Sequence, residues 1–108
     1  MDNTLYAVAS EGASLDSQVS DQAARASCYL FFDASGDLLY ALANPVCNVP
    51  RGAAPKAVEL LATRCVTLLV AARFGQKMIR ELEVAGIRRQ ESKGEVGHVM
   101  RALSNRRE

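Results

Sequence analysis

The chain has 108 residues, of which 49% are hydrophobic and 23% are charged, and its formal net charge is +1. These values are typical of one globular domain, so we predict a single domain over residues 1–108. The near-neutral charge, without a domain-wide basic stripe, argues against a nucleic-acid-binding protein. No apolar run approaches the roughly 18–20 residues that a membrane span requires, so we expect no membrane partner.

The three cysteines, Cys28, Cys47 and Cys65, are far apart and include no C-x-x-C pair. This spacing excludes a zinc ribbon and a thioredoxin-type motif and indicates reduced thiols. We expect Cys28 and Cys65 to be buried apolar residues. Cys47 lies in an irregular loop near a predicted helix start, so it either faces a pocket as a thiolate or is an ordinary loop residue. Met1–Thr4 lacks the basic region of a secretory signal, which with the thiols predicts a cytoplasmic protein.

The first half of the chain predicts three strands. Leu5–Ala9 is short and nearly all apolar, so we expect it to be central in the sheet. The polar segment Ser10–Ser27 is long for a connection in a compact domain, which is often a sign of function. Within it, Asp21–Ala26 could form a helical turn capped by the preceding serine. Tyr29–Phe32 and Leu38–Leu42 are expected to pair as an antiparallel hairpin across a glycine-containing loop.

The second half of the chain predicts helices that alternate with parallel strands. A helix opens at Ala54-Pro55, with Pro55 at the first helical position, where its missing N–H is not needed. Val66–Ala72 has no alternation of apolar and polar residues, which is typical of a parallel strand covered on both faces. The remaining predicted elements are a helix with its apolar stripe at Met78, Ile79 and Leu82 and its end at Gly86, an edge strand at Ile87–Arg89, and a last helix with its stripe at Val96, Val99, Met100 and Leu103.

The order of elements, β-β-β-α-β-α-β-α, predicts an α/β fold with a mixed sheet of about five strands and helices packed on it. Catalytic chemistry finds little support in this pattern. His98 is the only histidine, and it points away from the stripe of its helix, so nucleophilic hydrolysis lacks a base. The first strand carries no carboxylate for a two-metal site. Gly52 and Gly75 are isolated and form no phosphate loop. We therefore predict that the chain is not an enzyme.

Two loops, Asn44–Gly52 and Arg73–Lys77, open into helices and carry basic residues. Free N–H groups and the helix dipole make a helix N-terminus suitable for an anionic ligand. Loops that leave the C-terminal ends of parallel strands meet at one end of the sheet, so we expect Arg73 to approach the Ser10–Ser27 loop, which carries Arg25. The alternative is that these basic residues are separate solvated surface charges.

The chain also carries motifs of a known family. The most specific are Asn44-Pro45, then Gly52-Ala53-Ala54-Pro55 with Glu59-Leu60-Leu61; further matches lie at Ala7–Ser10, Leu15–Ser20, Arg25-Ala26, Tyr29–Asp33, Phe74-Gly75 and Leu82–Ile87. Together they resemble the dinitrogenase iron–molybdenum cofactor-binding family, which includes small carrier proteins of nitrogenase cofactor assembly. The resemblance implies a ribonuclease-H-like fold with three layers, α/β/α.

The resemblance implies a carrier for the iron–molybdenum cofactor, its precursor or another metal–sulfur cluster. Its partners would be that cluster or cofactor-assembly proteins, and we expect a monomer or a weak homodimer. Where family members usually read His-Phe-Gly-Arg-Ala, this chain reads Gln22-Ala23-Ala24-Arg25-Ala26. The alternative is therefore a divergent member without a bound cluster, acting as a protein-interaction or regulatory module. The predicted cofactor-binding residues, with Cys47 as the candidate metal ligand, are Arg25, Cys47, Asn48, Arg51, Gly52, Ala53, Arg73, Gly75 and Lys77.

Overall fold

The structure is a computed structural model that describes residues 4–105. Met1–Asn3, on which most of the prediction about a secretory signal rests, lies outside the described residues. No helix in the described part of the chain is long and apolar enough to cross a membrane. Its strands and helices are β1 (Leu5–Ser10), β2 (Cys28–Asp33), β3 (Leu38–Ala43), α1 (Ala53–Thr63), β4 (Leu68–Ala71), α2 (Gln76–Ala85), β5 (Arg88–Glu91) and α3 (Val96–Asn105).

The strands form one mixed sheet in the order β3-β2-β1-β4-β5. β2 pairs antiparallel with both β1 and β3, whereas β4 pairs parallel with both β1 and β5. This topology confirms the predicted α/β class, the five-stranded mixed sheet and the central position of the first strand. It also confirms the antiparallel hairpin and the interior parallel strand.

The side chains of the strands divide between two cores because successive residues point to opposite faces of the sheet. Ala7, Phe31 and Leu69 belong to the core beneath α1 and α2. Val8 and Leu30 belong to the second core, which α3 covers. All five are fully buried. Two helices on one face and one on the other give the three-layer α/β/α arrangement that the resemblance implied. The helix residues buried as predicted are Met78, Leu82, Val96, Val99 and Met100.

Two predicted element boundaries at helix α1 are wrong. The helix begins at Ala53, so Pro55 is its third residue rather than its first. Gly52 takes the left-handed conformation, with φ 71°, and turns the chain into the helix earlier than the proline suggested. Proline is still harmless there, because the first N–H groups of a helix have no intrahelical acceptor. At the other end, hydrogen bonding to α1 continues beyond its last residue, because the Val66 N–H donates to the Leu61 carbonyl at 3.1 Å. The next strand therefore begins at Leu68 instead of Val66.

Two further local predictions need correction. Asp21–Ala26 contains a turn and no helix, and the Ser20 hydroxyl accepts a hydrogen bond from the Gln22 N–H at 3.0 Å. β5 begins at Arg88 because the Ile87 N–H closes the end of α2 on the Leu82 carbonyl. The helix end itself, at Gly86, is as predicted.

The cysteine burial predictions were also wrong. Cys28 is half-buried, and Cys65 is exposed. Cys65 follows α1 with φ 65°, the only positive φ among the non-glycine residues that the structure describes. A residue that ends a helix in the left-handed conformation turns its side chain off the helix surface, which accounts for the exposure. His98, by contrast, is exposed as predicted, with 69% of its side chain accessible.

Candidate functional site

The strands β1, β3, β4 and β5 all finish at the same end of the sheet, which we call the loop end. The segments that follow β3 and β4 lead directly into α1 and α2, so both helices begin at the loop end. In open α/β sheets this is the end at which ligands bind.

A cleft of about 320 Å³ opens at the loop end between the loop after β1 and the loop after β4. Arg25 lies on one side of it, and Arg73 and Gly75 lie on the other. The buried side chain of Met78 gives the cleft an apolar patch. The remaining lining residues are Asp21, Gln22, Ala23 and Ala24. Two basic residues that are far apart in the sequence thus share one cavity.

Backbone hydrogen bonds hold the two loops together. The Ser20 N–H donates to the Ala9 carbonyl at 2.8 Å, and the Ser20 carbonyl accepts from the Ala72 N–H at 2.8 Å. Ser20 is buried and therefore links the last residues of β1 to the residue after β4. A third bond, from the Val19 N–H to the Gly94 carbonyl, ties the same segment to the loop before α3. The long polar loop is consequently fixed at the position where it forms the cleft wall.

Asn44, which follows β3, fixes the same loop through its side chain. Its side-chain nitrogen donates to the carbonyls of Ala24, at 3.1 Å, and Ala26, at 2.9 Å. Its side-chain oxygen accepts from the Val46 N–H at 2.9 Å. Asn44 is 4% exposed, so each bond satisfies a polar group that water reaches poorly. Sequence analysis placed Asn44 in a family motif but not among the site residues. A buried role for an asparagine at a strand end has no distinctive pattern in a single sequence.

Tyr29 supports the same wall from the core. Its hydroxyl donates to the Ala23 carbonyl at 2.6 Å. Burial raises the pKa of Tyr29 well above its ordinary value, while a hydrogen bond with Asn44 opposes part of that shift. The phenol is therefore neutral and remains a hydrogen-bond donor. In the sequence, Tyr29 is recognisable as part of a strand and of the family match Tyr29–Asp33, and not as a site residue.

Arg25 connects the cleft to the loop after β3. One terminal nitrogen of its guanidinium, Nη1, donates to the Val49 carbonyl at 2.7 Å and to the Cys47 carbonyl at 3.3 Å. The side chain is half-buried. A guanidinium has five N–H donors, so this anchoring leaves others available on the cleft side.

Arg73 differs from Arg25 in that it is exposed. None of the side-chain hydrogen bonds and ion pairs between described residues involves it. Its neighbour Gly75 precedes α2, and no side chain caps that helix. The first turn of α2 also lacks an acidic residue. This side of the cleft therefore presents a positive charge and free N–H groups toward the cavity.

The other predicted site residues do not line the cleft. In the loop after β3, Cys47 is half-buried, Asn48, Arg51 and Gly52 are exposed, and Ala53 is the buried first residue of α1. Lys77 is exposed in the first turn of α2. Among residues 4–105, no group of three or more His, Cys, Asp or Glu side chains comes together to hold a metal ion. Arg25, Arg73 and the N–H groups at the start of α2 can bind an anion by charge and hydrogen bonds, and the Asp21 carboxylate adds one negative charge at the cleft.

The fold and the cleft define a small α/β protein with a basic cavity at the loop end of its sheet. The family model described as "Dinitrogenase iron-molybdenum cofactor" matches residues 4–106, and the chain belongs to this family. No curated protein matches the chain.

Solved structures agree with this assignment. The apo form of the orange protein from Desulfovibrio gigas superposes with a TM-score of 0.85 and is 24% identical; the alignment covers 96% of this chain and 89% of that one. A Thermotoga protein described as NifB-like, of the DUF35 family, superposes with a TM-score of 0.78 and is 30% identical. That alignment covers 94% of this chain and 88% of the Thermotoga chain.

Proposed function

We propose that the chain is a non-enzymatic carrier that binds an anionic metal–sulfur cluster, or a precursor of the iron–molybdenum cofactor, in the cleft between Arg25 and Arg73. The observation that carries this proposal is the convergence of these two arginines on one cavity beside the start of α2. Membership of a family named for the iron–molybdenum cofactor supports a cofactor-binding role.

The start of α2 supports an anionic cargo. Gly75 has no heavy atom within 4 Å of the position where a Cβ would lie, so the backbone is open to a close approach there. The uncapped N–H groups that follow carry part of the positive end of the helix dipole. Lys77 adds a charge in the same turn. A sulfide-bridged metal cluster with net negative charge would meet donors and cations rather than a closed set of ligands.

This arrangement suits a carrier better than a resident-cofactor protein. A cluster held by several metal–ligand bonds is retained, whereas one held by screened charge and hydrogen bonds exchanges with its surroundings. Cys47 remains the candidate for a single metal–thiolate bond, because Arg25 holds its backbone next to the cleft wall. We propose that the protein exchanges its cluster with cofactor-assembly proteins and that this takes place in the cytoplasm.

The test is an anaerobic titration of the protein with tetrathiomolybdate, followed through the charge-transfer absorption of the bound anion. We expect uptake at low salt that weakens as salt rises, because the screening length falls from about 10 Å at 0.1 M to about 3 Å at 1 M. Arg73→Ala should weaken uptake clearly. Arg80→Ala is the matched control, since Arg80 is an exposed arginine of α2, the helix that follows Arg73, and does not line the cleft.

The opposite result would support the alternative function. If the protein takes up no tetrathiomolybdate at low salt, and extracted cofactor precursor also fails to bind, the carrier proposal is wrong. The chain would then be a family member that acts through protein contacts, and its partners would be sought by affinity capture on the folded protein.

A further inference from the structure

The cleft lining contains a carboxylate that anion binding alone does not explain. Asp21 lines the cavity together with Arg25 and Arg73, and it is the acidic member of the described residues around it. Two positive charges and one negative charge leave the lining with a single net positive charge. A carboxylate repels a nearby anion, so Asp21 opposes the two arginines.

The fold holds Asp21 at this position. Its neighbour Ser20 is buried, and the Ser20 backbone is hydrogen-bonded to Ala9 and to Ala72, both at 2.8 Å. The Ser20 hydroxyl accepts a hydrogen bond from the Gln22 N–H at 3.0 Å, which closes a turn around Asp21. The carboxylate therefore projects from a restrained segment, and its charge stays beside the cavity.

The arginines of the cleft do not neutralise Asp21. Neither of the ion pairs between described residues includes it, so its carboxylate is beyond ion-pair distance of Arg25 and Arg73. No hydrogen bond from another described residue reaches the carboxylate either. Arg25 instead donates to the carbonyls of Cys47 and Val49. The negative charge of Asp21 consequently acts on any ion that enters the cleft.

We infer that Asp21 is a specificity-determining residue that limits the charge of the anion that the cleft accepts. The inference rests on the proposed function and narrows its cargo to compact anions of low charge rather than polyanions. Repulsion from Asp21 grows with every negative charge on the cargo, so it offsets about half of the attraction that two arginines supply. Weaker attraction also speeds release, which a carrier requires.

Coulomb's law gives the size of the effect. A cavity of about 320 Å³ is roughly 7 Å across, so a carboxylate in its lining lies about 6 Å from the centre of a bound anion. At that distance in water and at low salt, each negative charge on the anion reduces affinity about threefold. Asp21 should therefore weaken the binding of a monoanion about threefold and that of a dianion about tenfold.

Two probes of the same shape and different charge test the inference. Tetrathiotungstate is a dianion and tetrathiorhenate is a monoanion; both are tetrahedral, and each is followed anaerobically by its own charge-transfer absorption. We expect Asp21→Asn to raise affinity for the dianion about tenfold and for the monoanion about threefold. The ratio of the two affinities thus shifts about threefold. This shift should shrink as salt rises, because salt screens charge, whereas a change in cleft shape would not respond to salt in this way.

Two control variants isolate the charge at position 21. Asp21→Glu keeps the negative charge, so the ratio of affinities should remain that of the unmodified protein. Asp16→Asn removes a negative charge from an exposed residue of the same loop that does not line the cleft. It should change neither affinity.

The possible outcomes separate this inference from the proposed function. If the unmodified protein binds both anions and Asp21→Asn changes both affinities equally or not at all, the carrier proposal stands and the role of Asp21 is wrong. If only Asp21→Asn binds the anions, Asp21 limits the accepted charge as inferred, and the carrier proposal fails for such cargo. If neither protein binds either anion, both proposals are wrong.

Discussion

The two sides of the cleft use polar groups in opposite ways. On one side, Tyr29, Asn44 and Arg25 direct their donors to backbone carbonyls of the loops after β1 and β3; we call these three residues the brace. On the other side, Arg73 and Gly75 form what we call the open rim, where no side chain of a described residue occupies the free donors. The brace therefore contributes mainly to stability, whereas the open rim supplies the free donors on which the proposed binding depends. Arg25 has a part in both.

Among substitutions in the brace, we expect the largest loss of stability at Asn44. Asn44→Ala removes three hydrogen bonds and leaves two carbonyls and one N–H without these partners in a buried setting. We expect the free energy of unfolding to fall by about 2–4 kcal/mol. Urea denaturation measures this as a lower midpoint with an unchanged slope.

Asn48→Ala is the matched control for this loss. Asn48 is exposed in the same loop, and its replacement should change stability by no more than about 0.5 kcal/mol. Equal effects at the two positions would mean that the brace does not stabilise the loops.

Tyr29→Phe is a milder change to the brace. The ring remains in the core, and only the hydroxyl that donates to the Ala23 carbonyl is lost. We expect a loss of about 1–2 kcal/mol in unfolding free energy, because the carbonyl loses a buried partner. Denaturation of Tyr29→Phe, compared with Asn44→Ala, would show whether the brace depends more on its amide or on its phenol.

The same tyrosine makes stability depend on alkaline pH. Its pKa is raised in the folded protein, so the phenol stays protonated there, while an unfolded tyrosine ionises above about pH 10. The folded state then holds more protons than the unfolded state, and stability must fall as pH rises above 10. Stability measured from pH 8 to 11 should show this decline, and the decline should be smaller in Tyr29→Phe. An identical decline in both proteins would contradict the assignment to Tyr29.

Substitutions at Arg73 and Arg25 test whether the open rim and the brace differ in their effects on anion uptake and on stability. Arg73→Ala should weaken tetrathiomolybdate uptake about tenfold at low salt while changing unfolding free energy by no more than about 0.5 kcal/mol. Arg25→Ala should weaken uptake and also reduce stability by about 1 kcal/mol, since it releases the carbonyls of Cys47 and Val49. If both variants lose stability equally, the open rim is part of the scaffold and the comparison fails.

The sequence was sufficient for the fold because its strongest signals are local. The unbroken apolar run that contains β4 and the stripes of α2 and α3 report burial directly, and the glycine at position 86 marks a helix end. Boundaries were less accurate where backbone conformation decides them. Gly52 and Cys65 both take positive φ at the ends of α1, and residue type alone indicates such a conformation only for the glycine.

The site was harder to predict for a related reason. Arg25 and Arg73 were expected to converge because their loops leave strands at the same end of the sheet. The brace depends instead on which carbonyls Asn44 and Tyr29 reach across the fold, and such long-range bonds have no periodic signal in the sequence. The burial of Cys28 and Cys65 was misjudged because neighbouring apolar residues do not determine where a single side chain points at the end of a strand or helix.

The smallest expected effect is on the reaction rates of the cysteine thiols, which test whether Arg25 also restrains the loop that carries Cys47. Cys65 is exposed and should react with a thiol reagent faster than Cys47 or Cys28, which are half-buried. Arg25 holds the carbonyl of Cys47, so Arg25→Ala should raise the reaction rate of Cys47 severalfold and leave Cys65 unchanged.

Bound tetrathiomolybdate should slow the reaction of Cys47 if its thiolate coordinates the metal, and Cys47→Ser should then weaken uptake. Mass spectrometry of alkylated peptides, with and without the anion, distinguishes these cases. If Cys47 reacts at the same rate in every sample, it has no part in cargo binding, and the charge of the open rim must hold the anion without it.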